Sequence, residues 1–103
     1  MRLHRTQLLN TRAARRILDR ARNPAEITLH AAKRFIDDAP KFGIEIQHRD
    51  LDAARHRIHA ICQKAKQIYR GNNCFILSSP PWFVFYRDDA VITVMHANSD
   101  RRH

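Results

Sequence analysis

The chain has 103 residues, enough for one domain, residues 1–103, with one modest core. Apolar residues make up 44% of it, which argues against a disordered chain, and no run of 18 apolar residues is present to form a membrane-spanning helix, so no membrane partner is expected. A net charge of +9 and a pI near 10.8 favour a polyanionic partner, most simply RNA or another nucleic acid.

Residues 5–22 read as a first helix and a basic extension. Leu9, Ala13 and Ile17 follow i, i+4 spacing, and Ala14, Leu18 and Ala21 widen the stripe. Seven arginines against Asp19 give residues 1–22 a charge of +6 out of +9. Arginine binds phosphate bidentately and stacks on bases. Arg12, Arg15, Arg16 and Arg20 are therefore candidate nucleic-acid contacts, joined at the other end by Arg101 and Arg102. A GC-rich coding sequence would raise Arg and Ala together and is the bland alternative. Membrane-surface binding competes too, but the apolar face is weakened by alanine and has no aromatic anchor. The N-terminus lacks the apolar core of a secretory signal, although an amphipathic targeting peptide stays open.

Asn23-Pro24 ends the first helix. Glu26-Ile27-Thr28-Leu29 reads as a short strand or as the lead-in to a second helix over residues 28–39, with Thr28 as N-cap. Leu29, Ala32, Phe35, Ile36 and Ala39 make its stripe, and Pro40 stops it. Asp50 caps a third helix expected to run to about Tyr69, on the stripe Leu51, Ala54, Ile58, Ile61, Ala65 and Ile68. Gly71-Asn72-Asn73 ends that helix, and residues 74–78 follow as a strand.

Ser79-Pro80-Pro81 is a connector into a hairpin over residues 82–96 that turns at Asp88-Asp89. With a two-residue turn, Trp82, Val84 and Tyr86 share a face with Val91, Thr93 and Met95. Phe83, Phe85, Ile92 and Val94 share the other, expected under the helices. Tyr86 and Thr93 are thus expected on the open face. The fold class is α+β: N-terminal helices packed on one face of a small antiparallel β-meander of three to four strands.

Two cysteines, Cys62 and Cys74, make no disulfide framework and suit a reducing, cytoplasmic setting. His56, His59 and Cys62 tempt a metal reading. Positions six apart on a helix diverge by about 120° at ~100° per residue, so no metal or other cofactor is expected. With two glycines, Gly43 and Gly71, the chain has no glycine-rich phosphate loop. His30 with Lys33 or Arg34 is the chemical candidate. A helix N-terminus favours anions and a neutral imidazole, which can take the proton of a ribose 2′-hydroxyl. A cation can stabilise the phosphorane, and His96, Tyr86 or an arginine can protonate the leaving oxygen. The bland alternative for His30 is a capping or surface histidine.

Residues 27–35, Ile-Thr-Leu-His-Ala-Ala-Lys-Arg-Phe, with Gly43-Ile44 and Val91-Ile92-Thr93-Val94, resemble small BECR-type proteins, the barnase, EndoU, colicin tRNase and RelE-like nuclease group. The resemblance covers residues 27–103 as a nuclease-like core. It implies a metal-independent RNA endonuclease, often a bacterial or phage toxin held by an antitoxin, here an acidic antitoxin or inhibitor protein. It carries over His30 and Arg34, then Thr93 and His96. The leading expectation is such a ribonuclease. The alternative is a non-catalytic basic module, a phage-type regulator or inhibitor, that binds nucleic acid or a nucleoprotein. A third is a structural protein whose third helix and hairpin make a homodimer.

Overall fold

The computed structural model of the chain describes residues 7–9, 11–46 and 50–98. Strand β1 (Gln7–Leu9) precedes helix α1 (Arg12–Ala21). Strand β2 (Glu26–Ile27) leads into α2 (Leu29–Asp38), which a 3-10 turn, Ala39–Phe42, extends. Helix α3 (Leu51–Gln63) is followed by β3 (Gln67–Arg70), β4 (Phe75–Ser79), β5 (Trp82–Arg87) and β6 (Ala90–His96). The six strands form one sheet in the order β1-β3-β4-β5-β6-β2, antiparallel except for the parallel pair β2–β6. The α+β class stands, with a wider and mixed sheet in place of a three- to four-stranded meander. No helix among the described residues is long and apolar enough to cross a membrane.

Capping decides where the helices begin. The Thr11 hydroxyl accepts from the Ala14 N–H at 3.1 Å, so α1 starts at Arg12 rather than at residue 5. The segment before it pairs with β3, Leu9 opposite Ile68. Thr28 caps α2 as expected, accepting from the Ala31 N–H at 3.2 Å. It also holds the start of α2 to β6: its N–H donates to the Val91 carbonyl at 3.1 Å and its hydroxyl to the Ile92 carbonyl at 3.4 Å. Asp50 caps α3, accepting from the N–H groups of Asp52 and Ala53.

Helix α3 ends at Gln63, six residues short of Tyr69. Ile68 keeps helical spacing with Ile61 and Ala65, which is why it reads as a continuation. It belongs instead to the central row of the sheet, Leu9–Ile68–Leu77–Val84–Val94, where Ile68, Leu77, Val84 and Val94 are buried. A β-branched and an aromatic residue, Ile68-Tyr69, beside a ready antiparallel partner favour strand over one more helical turn.

The hairpin turn is two residues long, and both Asp88 and Asp89 have positive φ, 52° and 63°. That is the twist a tight hairpin needs. Arg87 then pairs with Ala90 and Tyr86 with Val91, as two-residue register requires. A bulge at Ile92 next shifts β6 by one residue, so Phe85 faces Thr93, Val84 faces Val94 and Trp82 faces His96. The covered face of β5, and Val91 with it, is the reverse of the expectation, whereas the bulge leaves Val94 under the helices and Thr93 and Met95 on the open face, as expected. Trp82, Val84, Tyr86, Val91 and Val94 lie under the helices in one cluster with Leu18, Ala32, Phe35 and Ile58. Phe83, Phe85, Thr93 and Met95 turn to the opposite face with Tyr69 and Ile76.

Candidate nucleic-acid interface

Helix α1 packs on the sheet through Ala14, Leu18 and Ala21 and turns its arginines outward. Arg12, Arg16 and Arg20 fall at i, i+4 and i+8, one ridge along the exposed side, with Arg15 beside it. No acidic residue lies in the first turn. Cations there oppose the helix dipole at a cost of about 0.3–1 kcal/mol each. Arg12, Arg15 and Arg16 make no ion pair among the described residues. Local stability thus gains nothing from these charges, and such a broken local rule marks a candidate working surface.

The ridge borders a groove of about 540 Å³ between α1 and the β5–β6 turn, lined by Arg16, Ile17, Arg20, Phe75, Tyr86 and the turn aspartates. Asp89 organises it. Its carboxylate accepts the Tyr86 hydroxyl at 2.7 Å and lies 3.7 Å from the Arg20 guanidinium. Burial, then the bond to Asp89 and its charge, push the Tyr86 phenol up to about 12. Tyr86 is therefore protonated at neutral pH and is a weak proton donor. The Asp-Asp pair was legible only as a turn, because nothing in its spacing says that it anchors Tyr86 and Arg20.

The expected catalytic residues lie on three different surfaces. His30 and Lys33 are exposed on the outer side of α2. Arg34 is half-buried and held by Asp38 at 3.1 Å, with Lys41 3.7 Å from the same carboxylate group. Tyr86 and His96 lie on the helix side of the sheet near opposite ends of β5, since His96 pairs with Trp82. Tyr86 had been expected on the open face; the helices cover it because they pack on the Trp82–Val84–Tyr86 side. Thr93 is half-buried on the open face, where the bulge at Ile92 puts it beside Phe85.

His96 is locked by its neighbours. It stacks on Phe42 with ring centroids 3.5 Å apart and meets Trp82 edge-on at 4.9 Å. Its Nδ1 accepts the Asn98 N–H at 3.1 Å. The structure thus brings Tyr86 together with Arg16 and Arg20, the expected nucleic-acid contacts, and not with His30 or His96. Arg101 and Arg102 lie outside the described residues.

Cys62 faces the core, where burial pushes its thiol up to about 12, while His56 and His59 line a separate groove with Ile27 and Arg55. Among the described residues, no group of three or more His, Cys, Asp or Glu side chains is arranged to hold a metal ion. A scan against protein-family models and searches of curated proteins and of solved structures return no match to this chain.

Proposed function

We propose that this protein is a non-catalytic basic module that binds RNA or another nucleic acid along the outer face of α1. The observation that carries the reading is the ridge of Arg12, Arg16 and Arg20 with Arg15: all four are exposed, Arg12, Arg15 and Arg16 make no ion pair among the described residues, and Arg12 and Arg15 sit at the helix N-terminus, where the dipole disfavours cations. Phosphates would lie along the ridge, and the groove beside it offers Tyr86 and Phe75 as an apolar flank. The +9 charge adds long-range attraction.

Retention of RNA by the full chain across a salt series tests this. Binding should weaken steeply with salt, and Arg12→Gln, Arg16→Gln and Arg20→Gln together should flatten the slope by about 0.7 per lost contact on single strands. Salt-insensitive binding, or an unchanged slope in the triple variant, would refute the assignment to α1.

One observation favours the ribonuclease as a second reading. His30 and Lys33 are exposed one helical turn apart at the start of α2, open to a substrate. That reading requires RNA to be cleaved in excess chelator to 2′,3′-cyclic phosphate ends, with cleavage abolished in His30→Ala. Intact RNA after prolonged incubation supports the binding module.

A further inference from the structure

A second concavity lies at the other end of the sheet, between α3 and the β4–β5 turn, with a volume of about 200 Å³. Phe35 and Trp82 form its floor, Ile44 and Ile61 line its sides, and Arg57 and Lys64 stand at its mouth. Arg57 on α3 and Lys64 just after its end are both exposed, and neither makes an ion pair among the described residues.

Ser79 is the informative residue. It is 6% exposed, and alternation along β4 turns its side chain to the helix side, where the pocket is. Its hydroxyl makes no hydrogen bond among the described residues. A buried hydroxyl without a partner costs free energy unless something else supplies one. Here the buried Ser79 is one of the residues that line an open pocket.

These features select a ligand. The cations at the mouth call for an anion. Apolar walls over an aromatic floor call for a flat, apolar-faced group, and the buried hydroxyl calls for a polar edge on it. A pocket of this volume is smaller than the roughly 300 Å³ at which drug-sized sites begin, so it holds one ring system and not an extended chain.

We propose that this pocket receives one unpaired base of the bound nucleic acid. The base edge bonds to the Ser79 hydroxyl, and the attached phosphate rests on Arg57 and Lys64. The inference builds on the nucleic-acid-binding reading and adds to it a preference for single-stranded over fully paired ligand. The pocket and the α1 groove meet β5 at Trp82 and Tyr86, about 13 Å apart at ~3.3 Å per residue. A bound strand crossing the helix side can reach both.

Trp82 is the only tryptophan in the chain and reports on the pocket floor. Its fluorescence in the full chain is titrated with ribonucleoside 5′-monophosphates, with ribose 5-phosphate, and with a short unstructured RNA. Nucleotides and RNA should change it saturably, and ribose 5-phosphate should not. Ser79→Ala should weaken the nucleotide response roughly five- to tenfold, the worth of one hydrogen bond. Ala60→Phe, an exposed substitution at the mouth, should abolish the response, while RNA is still retained at low salt with a slope flattened by about 0.7 for the one phosphate lost from Arg57 and Lys64. RNA bound with no change at Trp82, and bound equally well by Ala60→Phe, overturns the pocket and leaves the α1 reading standing. An equal response to ribose 5-phosphate overturns the base. No retention of RNA at low salt overturns both readings together.

Discussion

Cys62 and Tyr86 make the fold sensitive to alkaline pH. An unfolded thiol and phenol release their protons near 9 and 10, whereas the native state holds both to about 12. Burial is the main cause for each, with the bond to Asp89 adding to it for Tyr86. Raised native values favour the protonated native state, so the contribution of these two groups is level below pH 9 and is lost as pH rises from 9 towards 12. Urea midpoints measured from pH 7.5 to 11 should show this decline. Cys62→Val should flatten it from pH 9, and Tyr86→Phe from pH 10, with Tyr86→Phe also losing about 1 kcal/mol at neutral pH with its hydrogen bond. Curves for both variants parallel to the parent would contradict the assignment. The same burial makes Cys62 slow towards thiol reagents in the folded protein, whereas half-buried Cys74 should react sooner. That Cys62 lies on the third helix was legible in the sequence, but its full burial was not, since the expected stripe runs through Ile58, Ile61 and Ala65. The covered position of Tyr86 was not, because alternation defines two faces of a strand without saying which one the helices take.

At the scale of elements, two short-range devices hold the architecture. Thr28 caps α2 and also ties it to β6 through Ile92, so Thr28→Ala should cost about 1–2 kcal/mol in chemical denaturation while Thr28→Ser keeps most of that. Equal stability of Thr28→Ala and the parent would mean that neither bond matters. The Asp88-Asp89 turn has both residues at positive φ, a conformation that glycine adopts without cost. Asp88→Gly should therefore raise stability by about 0.5 kcal/mol, whereas Asp89→Gly should not, since Asp89 also holds Tyr86 and Arg20. Thermal melts of the two variants separate these outcomes. Thr28, Asp50 and the Asp-Asp turn were all readable in the sequence, because caps and tight turns use local chemistry. The end of α3 was not. Ile68 satisfies helical spacing and strand alternation equally, and the nearby partner β4 decides between them.

Across the whole molecule, charge and aromatic surface are segregated. The helix side carries the exposed cations of α1, α2 and α3, while the two central rows of the open face, Tyr69–Ile76–Phe85–Thr93 and Gln67–Ser78–Phe83–Met95, contain no charged side chain. On the proposed nucleic-acid-binding reading, the helix side is the one that would attract the polyanion. Asp89 works against it there by occupying Arg20, so Asp89→Asn should tighten RNA binding roughly two- to fivefold, the scale of an exposed ion pair. It should also lower stability slightly through a weaker contact to Tyr86. Filter binding at fixed salt, read beside a melt of the same variant, checks both, and weaker binding would mean that Asp89 positions the arginine rather than competes for it.

Composition and local pattern by themselves determined that this chain is a small α+β protein with a basic first helix, two further helices capped by Thr28 and Asp50, and a tight terminal hairpin. Charge, helical period and turn chemistry act over a few residues and survive in a linear string. Only the tertiary structure decided which sheet face the helices cover, that Gln7–Leu9 and Gln67–Arg70 are strands, and that His30, Tyr86, Thr93 and His96 do not share a cleft. Those outcomes depend on partners far apart in sequence and on the one-residue bulge at Ile92, which reassigns the faces of β6 beyond it. The pocket over Ser79 has the same origin, since α3, Ile44 and the β4–β5 turn meet there only when the chain is folded.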